Sequence, residues 1–91
     1  MNDESYTIAW TSPAKHALRN LPEKAATAAV EFIYGSLAEN PQRVGKALQQ
    51  ELAGLHSARR GDYRVIYRIN SDQLTVEIVT IEHRSDAYRP R

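Results

Sequence analysis

Four arginines lie within ten residues, from Arg59 to Arg68, around the dipeptide Gly61-Asp62. This spacing is typical of a β-hairpin with a tight two-residue turn. After the turn, the residues alternate between two faces of a strand. The apolar face carries Tyr63, Val65, Tyr67 and Ile69, and the other face carries Arg64, Ile66 and Arg68. Guanidinium groups match phosphate with a fixed fork of donors and stay charged at any working pH. The pattern therefore indicates a sheet with one core side and one anion-binding side.

A second polar group follows the last strand that the sequence predicts. In an antiparallel meander that strand ends beside the start of the strand that carries Arg64, so the tail returns to the arginine-bearing face. A basic segment with Arg43 and Lys46 precedes the hairpin. We expect a convergence of two or three arginines, a histidine and a tyrosine, with Lys46 nearby: Arg59, Arg64, Arg84, His83 and Tyr88.

These residue types suit the cleavage of RNA by internal transesterification. The 2′-hydroxyl of the substrate is the nucleophile. The protein orients the phosphate, stabilises the charge that develops on its oxygens and moves protons, tasks for arginine and histidine. Tyrosine stacks on a base or takes part in proton transfer. We predict no metal ion and no cofactor, because three separated histidines are a poor metal site and the chain has no glycine-rich phosphate loop.

Several of these residues also have a plainer structural interpretation. His56, in a predicted strand beside Leu55, is more typical of a structural position than of a reactive one. Arg64 and Arg68 fit the solvated face of a sheet, and His83 fits a strand edge. Tyr63 and Tyr67 fit a hydrophobic core.

Composition predicts one small domain over residues 1–91 with a single modest core. The absence of cysteine removes disulfide and thiolate chemistry and fits a cytoplasmic protein. Neither a membrane-spanning apolar run nor a basic signal-peptide start is present. The net charge of +1 hides an asymmetry, since residues 1–42 carry −2 and residues 43–91 carry +3, which favours anion binding by the second half.

The first half predicts a short strand and two helices. The strand spans residues 6–10, and the first helix begins with Ser12 as its cap and Pro13 as its first helical residue. Pro22 ends that helix and opens the next. Because almost no loop separates their apolar stripes, we expect the two helices to form an antiparallel pair.

The second half predicts strands. Asn40-Pro41 ends the second helix, residues 41–47 form a basic loop, and residues 47–52 fit either a helical turn or the approach to a strand. Three strands follow, over residues 55–60, 63–69 and 74–82. The order predicts an α+β domain in which the helices pack on one face of a small, mostly antiparallel sheet of about four strands.

Three segments of the chain resemble the RelE/ParE superfamily of bacterial toxins, and most closely the RelE-like toxins of actinobacteria. They are residues 45–48, 52–67 and 83–88. The most specific part is Gly-Asp-Tyr-Arg-Val-Ile-Tyr from Gly61, followed in order by His-Arg-Ser-Asp-x-Tyr from His83. The resemblance covers nearly the whole chain and implies one domain with the RelE-like microbial RNase fold.

The resemblance also implies a function. It indicates a toxin of a type II toxin–antitoxin system that cuts mRNA in the ribosomal A site, together with a cognate antitoxin of the RelB or YefM type. The toxin would be a monomer or part of a hetero-oligomer with its antitoxin. By position, Arg64 would contact the scissile phosphate, Arg84 would stabilise charge or act in proton transfer, and Tyr88 would stack on or position the RNA. Basic positions that would bind the RNA backbone are Arg43, Lys46, Arg59 and Arg60.

The chain departs from the best-known RelE at the general base. A lysine pair on the first hairpin strand is absent here, which leaves His83 as the first candidate base and His56 as the second. A shift of the tail by two residues would place Glu82, instead of Arg84, at the catalytic arginine position. Two other functions stay open: inhibition of DNA gyrase, the activity associated with ParE relatives, and a degenerate toxin that only partners its antitoxin in operon repression.

Overall fold

The computed structural model of the chain describes residues 5–84. Within them, helices pack on a five-stranded sheet, which confirms the α+β prediction. The strands are β1 (Thr7–Trp10), β2 (Lys46–Ala47), β3 (His56–Arg60), β4 (Tyr63–Asn70) and β5 (Thr75–His83). The predicted count of about four is one too low because it omits β2, a two-residue strand that pairs with β3.

The sheet has the order β1-β5-β4-β3-β2, so the strand β5 lies in its interior. Pairing is antiparallel from β2 to β5, as predicted, whereas β1 runs parallel to β5. The sheet is therefore mixed. A parallel neighbour is possible here because a long helical connection separates β1 from the remaining strands.

Helix α1 (Ser12–Arg19) begins one residue earlier than predicted. Its cap is Thr11 and not Ser12, which is the first helical residue. The Thr11 hydroxyl accepts a hydrogen bond from the Ala14 N–H at 3.2 Å and donates to the Ile78 carbonyl of β5 at 2.7 Å. Thr11 thereby satisfies an unpaired N–H group of the first helical turn. It also links the start of α1 to the sheet by a hydrogen bond.

Helix α2 (Glu23–Phe32) follows α1 after residues 20–22 and continues as a π-helical turn over Ile33–Leu37. The predicted loop at residues 41–47 is wrong, since Pro41–Val44 forms one helical turn, α3, and β2 begins after Gly45. A 3₁₀ turn at Gln50–Leu52 leads into β3. None of the helices within residues 5–84 is long and apolar enough to cross a membrane.

The core lies between the helices and the inner face of the sheet. Along β4, Tyr63, Val65 and Tyr67 are buried while Arg64 and Arg68 are exposed, which confirms the predicted alternation. The helical half of the chain contributes apolar side chains to the same cluster: Ala14, Ala29, Phe32, Ile33 and Leu37 from the helices, and Leu21 from the connection between α1 and α2. The opposite face of the sheet, called the outer face below, consequently carries the arginines.

Candidate functional site

A row of three charged residues crosses the outer face. In the strand register Arg59 of β3 pairs with Arg64 of β4, and Arg64 pairs with Glu82 of β5. Directly paired residues project to the same face of a sheet, so the three side chains stand side by side. The Gly61-Asp62 turn sets this register, and Gly61 has the positive φ of +56° that suits a two-residue hairpin turn.

The first hollow lies at one end of this row and has a volume of about 460 Å³, within the range of ligand pockets. Among the described residues, its lining includes no carboxylate and four cationic side chains: Arg43, Lys46, Arg59 and Arg64. They come from α3, β2, β3 and β4, so distant segments meet here. Four cations around one concave surface favour a polyanion such as a nucleic-acid backbone.

Two residues beneath the first hollow hold α3 and β2 against the sheet. The buried hydroxyl of Tyr67 donates a hydrogen bond of 2.7 Å to the carbonyl of Pro41, the first residue of α3. A β-carbon at Gly45 would meet the Tyr67 hydroxyl and would lie 2.8 Å from the Ser57 carbonyl. Glycine therefore allows the chain to pass close to β3 and β4, and Arg43 and Lys46, on the two sides of Gly45 in the sequence, line the hollow.

The second hollow, of about 340 Å³, adjoins the first because Arg59 and Arg64 line both. Arg84 and Glu82 line it as well. Arg84 reaches the Gly61-Asp62 turn, where its backbone N–H donates to the Asp62 carbonyl at 2.7 Å and its guanidinium lies 3.8 Å from the Asp62 carboxylate. The predicted approach of Arg64 and Arg84 to one another is thus seen, since both line one hollow.

The two histidines of the sheet occupy inner-face positions. His56 pairs with Tyr67 and stacks on its ring at a centroid distance of 5.5 Å. His83 pairs with the buried Tyr63. It also lies at the strand end, where it lines both the second hollow and a helix-side hollow beside Lys24 and Ala25 of α2. The register therefore gives both candidate bases inner-face positions, while His83, at the strand end, also borders the hollow that Arg59 and Arg64 line.

Arg60 also faces the helices. Its guanidinium carbon lies 4.6 Å from the ring centroid of Phe32, a cation–π contact. Burial raises the pKa of its strand partner Tyr63, and the nearby charge of Arg60 opposes this rise. The structure consequently separates Arg60 from Arg43, Lys46 and Arg59, with which the sequence grouped it. Tyr88 lies outside the described residues.

Carboxylates within the site are the feature that the sequence interpretation underrated. The Glu82 carboxylate lies 3.6 Å from Nε of Arg64, and Asp62 contacts Arg84. Cross-strand pairing would have revealed Glu82 once the register was known, because it lies opposite Arg64. Among residues 5–84, no three histidine, aspartate or glutamate side chains group together as metal ligands.

Comparison with known proteins identifies close relatives. Residues 8–88 match the family described as the ParE toxin of the type II toxin–antitoxin system parDE. Toxin RelE of Mycobacterium tuberculosis is 52% identical over 97% of this chain and 91% of its own length. Toxin RelG of the same organism is 49% identical over 92% of this chain and 97% of its own length.

A solved structure has the same fold. The toxin–antitoxin complex RelBE2 from Mycobacterium tuberculosis contains a chain that superimposes with a TM-score of 0.88 at 46% identity. The superposition covers 93% of this chain and 98% of that one. The sheet and helices described above therefore have the same fold as a chain of that toxin–antitoxin complex.

Proposed function

The chain belongs to the ParE toxin family of type II toxin–antitoxin systems, and from that premise we propose that it is an endoribonuclease that cleaves mRNA in the ribosomal A site. The observation that supports this most directly is the second hollow. Arginines from three separate segments, Arg59, Arg64 and Arg84, line one open concavity there. Such a surface grips a phosphodiester and stabilises the negative charge that develops as its phosphorus is attacked.

In the proposed reaction the 2′-hydroxyl attacks the adjacent phosphorus, so that the nucleophile comes from the RNA itself. Arg64 holds the scissile phosphate at the junction of the two hollows, and Arg84 stabilises charge on the departing side. The first hollow, with Arg43, Lys46 and Arg59, holds the neighbouring backbone phosphates. The chemistry needs no metal in this scheme, because guanidinium groups carry the electrostatic work.

Three predicted site residues contribute in other ways. We propose that Tyr88, in the tail that follows β5, stacks on a base next to the cleaved bond. His83, at the rim of the second hollow, stays a prediction for proton transfer. Arg60 is held over Phe32 on the helix side. It would bind mRNA or ribosomal RNA only if the RNA strand wrapped around the end of the hairpin.

We propose further that a RelB- or YefM-like antitoxin neutralises the toxin in the cytoplasm. The first hollow offers an electrostatic reason, because the residues of 5–84 that line it include four cations and no carboxylate. An acidic, amphipathic segment laid across these residues would compete directly with RNA phosphates. The RelBE2 structure shows a relative in complex with its antitoxin, which supports an equivalent partner for this chain.

The test is cleavage of a defined mRNA on translating ribosomes, read by primer extension. Arg64→Ala is expected to lower the cleavage rate by about 100- to 1,000-fold, because it removes a charge that stabilises the transition state. Arg68→Ala is the matched control. Arg68 lies on the same face of the same strand but pairs with Glu77 at 2.7 Å, away from both hollows, so its loss should leave the rate unchanged.

A parallel supercoiling assay with DNA gyrase separates the alternatives. Inhibited supercoiling with intact mRNA would identify a gyrase inhibitor instead. If neither activity is found, the protein is a degenerate toxin that serves only as the partner of its antitoxin.

A further inference from the structure

Glu82 is the carboxylate that stands beside the phosphate-binding arginine. It pairs with Arg64 across β4 and β5, its carboxylate lies 3.6 Å from Nε of Arg64, and it lines the second hollow. Its side chain is 56% exposed, so substrate can reach it. A carboxylate at this position lies next to any phosphate that Arg64 binds.

A β-bulge places Glu82, rather than His83, on the outer face. The β4–β5 register shifts by one residue between Ile66 and Tyr67, so that Ile66 pairs with Thr80 while Tyr67 pairs with Ile78. A one-residue shift moves every following side chain to the other face of the sheet. Without the bulge His83 would project with the arginines, and with it Glu82 does.

The other candidate acceptors are not paired with Arg64. His56 stacks on the buried Tyr67. His83 borders the second hollow from the strand end, but its register position is on the inner face, opposite the buried Tyr63. The outer face of β3 carries Ser57 and Arg59 at the corresponding positions, and neither is a base near neutral pH. Asp62 lines the second hollow from the hairpin turn, but it contacts Arg84 instead of Arg64.

We propose, on the premise that the protein cleaves mRNA, that Glu82 is the general base of the reaction. A Glu82 carboxylate oxygen takes the proton of the 2′-hydroxyl as the 2′-oxygen bonds to phosphorus. The bond from phosphorus to the 5′-oxygen breaks, and that oxygen leaves with a proton from solvent water. The products are a 2′,3′-cyclic phosphate and a 5′-hydroxyl end, with no change of oxidation state.

Arg64 serves the base and the phosphate together. The guanidinium meets Glu82 through Nε, and a guanidinium also carries two terminal nitrogens that donate hydrogen bonds. One arginine can therefore orient the carboxylate and hold the phosphate whose neighbouring hydroxyl that carboxylate deprotonates. This juxtaposition gives the carboxylate a position within reach of the nucleophile.

The chain contains its own control for this assignment. Glu77 and Arg68 form a second glutamate–arginine pair between the same two strands and on the same face, at 2.7 Å. Neither residue lines either hollow that contains Arg64. Glu77 and Glu82 therefore share their strand, their sheet face and an arginine partner on β4. They differ in that only Glu82 lies at the site.

The experiment measures single-turnover mRNA cleavage on ribosomes saturated with toxin, for wild type, Glu82→Gln, Glu82→Asp and Glu77→Gln. We expect Glu82→Gln to cleave at least 100-fold more slowly while it still sediments with ribosomes and unfolds at the wild-type temperature. Glu82→Asp, which keeps a carboxylate, should recover most of the loss. Glu77→Gln should match wild type.

A Glu82→Gln rate within threefold of wild type, or faster, would overturn the assignment and show that Glu82 only neutralises Arg64. Failure of Glu82→Asp to recover more activity than Glu82→Gln would also overturn it. Absence of cleavage by the wild-type protein is a distinct result, because it removes the nuclease function and the base together.

Discussion

Tyr67 connects the hydrophobic core to the first hollow through its hydroxyl. The side chain is fully buried in the core cluster, and its oxygen reaches the Pro41 carbonyl at the start of α3. Burial disfavours the charged phenolate and raises the pKa of Tyr67 to about 12, from an ordinary value of 10.0. A core residue thereby supports the segment that carries Arg43 and Lys46.

This raised pKa predicts a loss of stability in alkali. Because the protonated form of Tyr67 is favoured in the folded state, it contributes to the free energy of unfolding. This contribution is complete below pH 10, where Tyr67 is protonated in the folded and the unfolded chain. It is lost as the pH rises from 10 to 12, because the tyrosine ionises readily only in the unfolded chain there. The contribution amounts to about 2 to 3 kcal/mol. Urea unfolding at pH 9 and pH 11.5 should show a smaller fall for Tyr67→Phe than for wild type, and equal falls would contradict the prediction.

At the residue scale, the sequence predicted the alternation of Tyr63, Arg64, Val65, Tyr67 and Arg68 along β4, and the structure has it. The bulge in β5 was not predicted. It sets Glu82 opposite Arg64 on the outer face and His83 opposite Tyr63, although His83 still lines the second hollow together with Arg64. A trace of the bulge is visible in the sequence, since Val76 and Ile78 are two apart but the next inward residue, Ile81, is three further on.

At the element scale, Thr11 joins α1 to β5. Its hydroxyl accepts the capping hydrogen bond, and its single O–H proton is directed at two carbonyls of β5, those of Ile78 at 2.7 Å and Val79 at 3.0 Å. The Thr11 N–H also donates to the Ile78 carbonyl at 3.2 Å. One residue thus sets both the first turn of the helix and its distance from the sheet.

Thr11→Ala should therefore destabilise the fold by about 1 to 2 kcal/mol, since it removes a helix cap. Ser12→Ala is the matched control, because Ser12 is the residue that the sequence pattern identified as the cap. We expect it to change the free energy of unfolding by less than about 0.5 kcal/mol. Chemical denaturation of both variants tests this, and a larger effect from Ser12→Ala would restore the original interpretation.

Elements with a strong local signal were predictable, and those that depend on distant partners were not. Helices α1 and α2 and the hairpin follow from apolar spacing and turn residues. The two residues of β2 have no local signal and become a strand only because Ser57 and His56 pair with them. The same holds for α3, whose first residue is held by the Tyr67 hydroxyl from another part of the chain.

At the scale of the whole molecule, the described residues divide into a helix side and an outer face. The helix side has mixed charges, with Glu23, Lys24 and Glu31 around one hollow. The outer face holds the cationic first hollow. The small net charge of +1 therefore conceals a polarised surface, and the asymmetry between the halves of the sequence anticipated its sign but not its shape.

This polarity predicts a salt dependence that has a definite origin. For a non-cleavable 2′-O-methyl RNA, the logarithm of the association constant should fall linearly with the logarithm of the salt concentration between about 50 and 200 mM. The double variant Lys46→Ala/Arg59→Ala should reduce the slope by roughly 1 to 1.5, since each cation on single-stranded RNA contributes about 0.7. Lys24→Ala, on the helix side, should leave the slope unchanged. Fluorescence anisotropy measures both, and an unaltered slope for the double variant would exclude these contacts.

The interior position of β5 has a consequence for synthesis of the protein. Strand β1 is made first among the strands, yet its neighbour in the sheet is the strand made last, Thr75–His83. While the nascent chain ends before that strand, β1 and β4 have no shared neighbour and Glu82 has not joined Arg64. A polypeptide still being translated therefore lacks the second hollow, which Glu82, His83 and Arg84 complete.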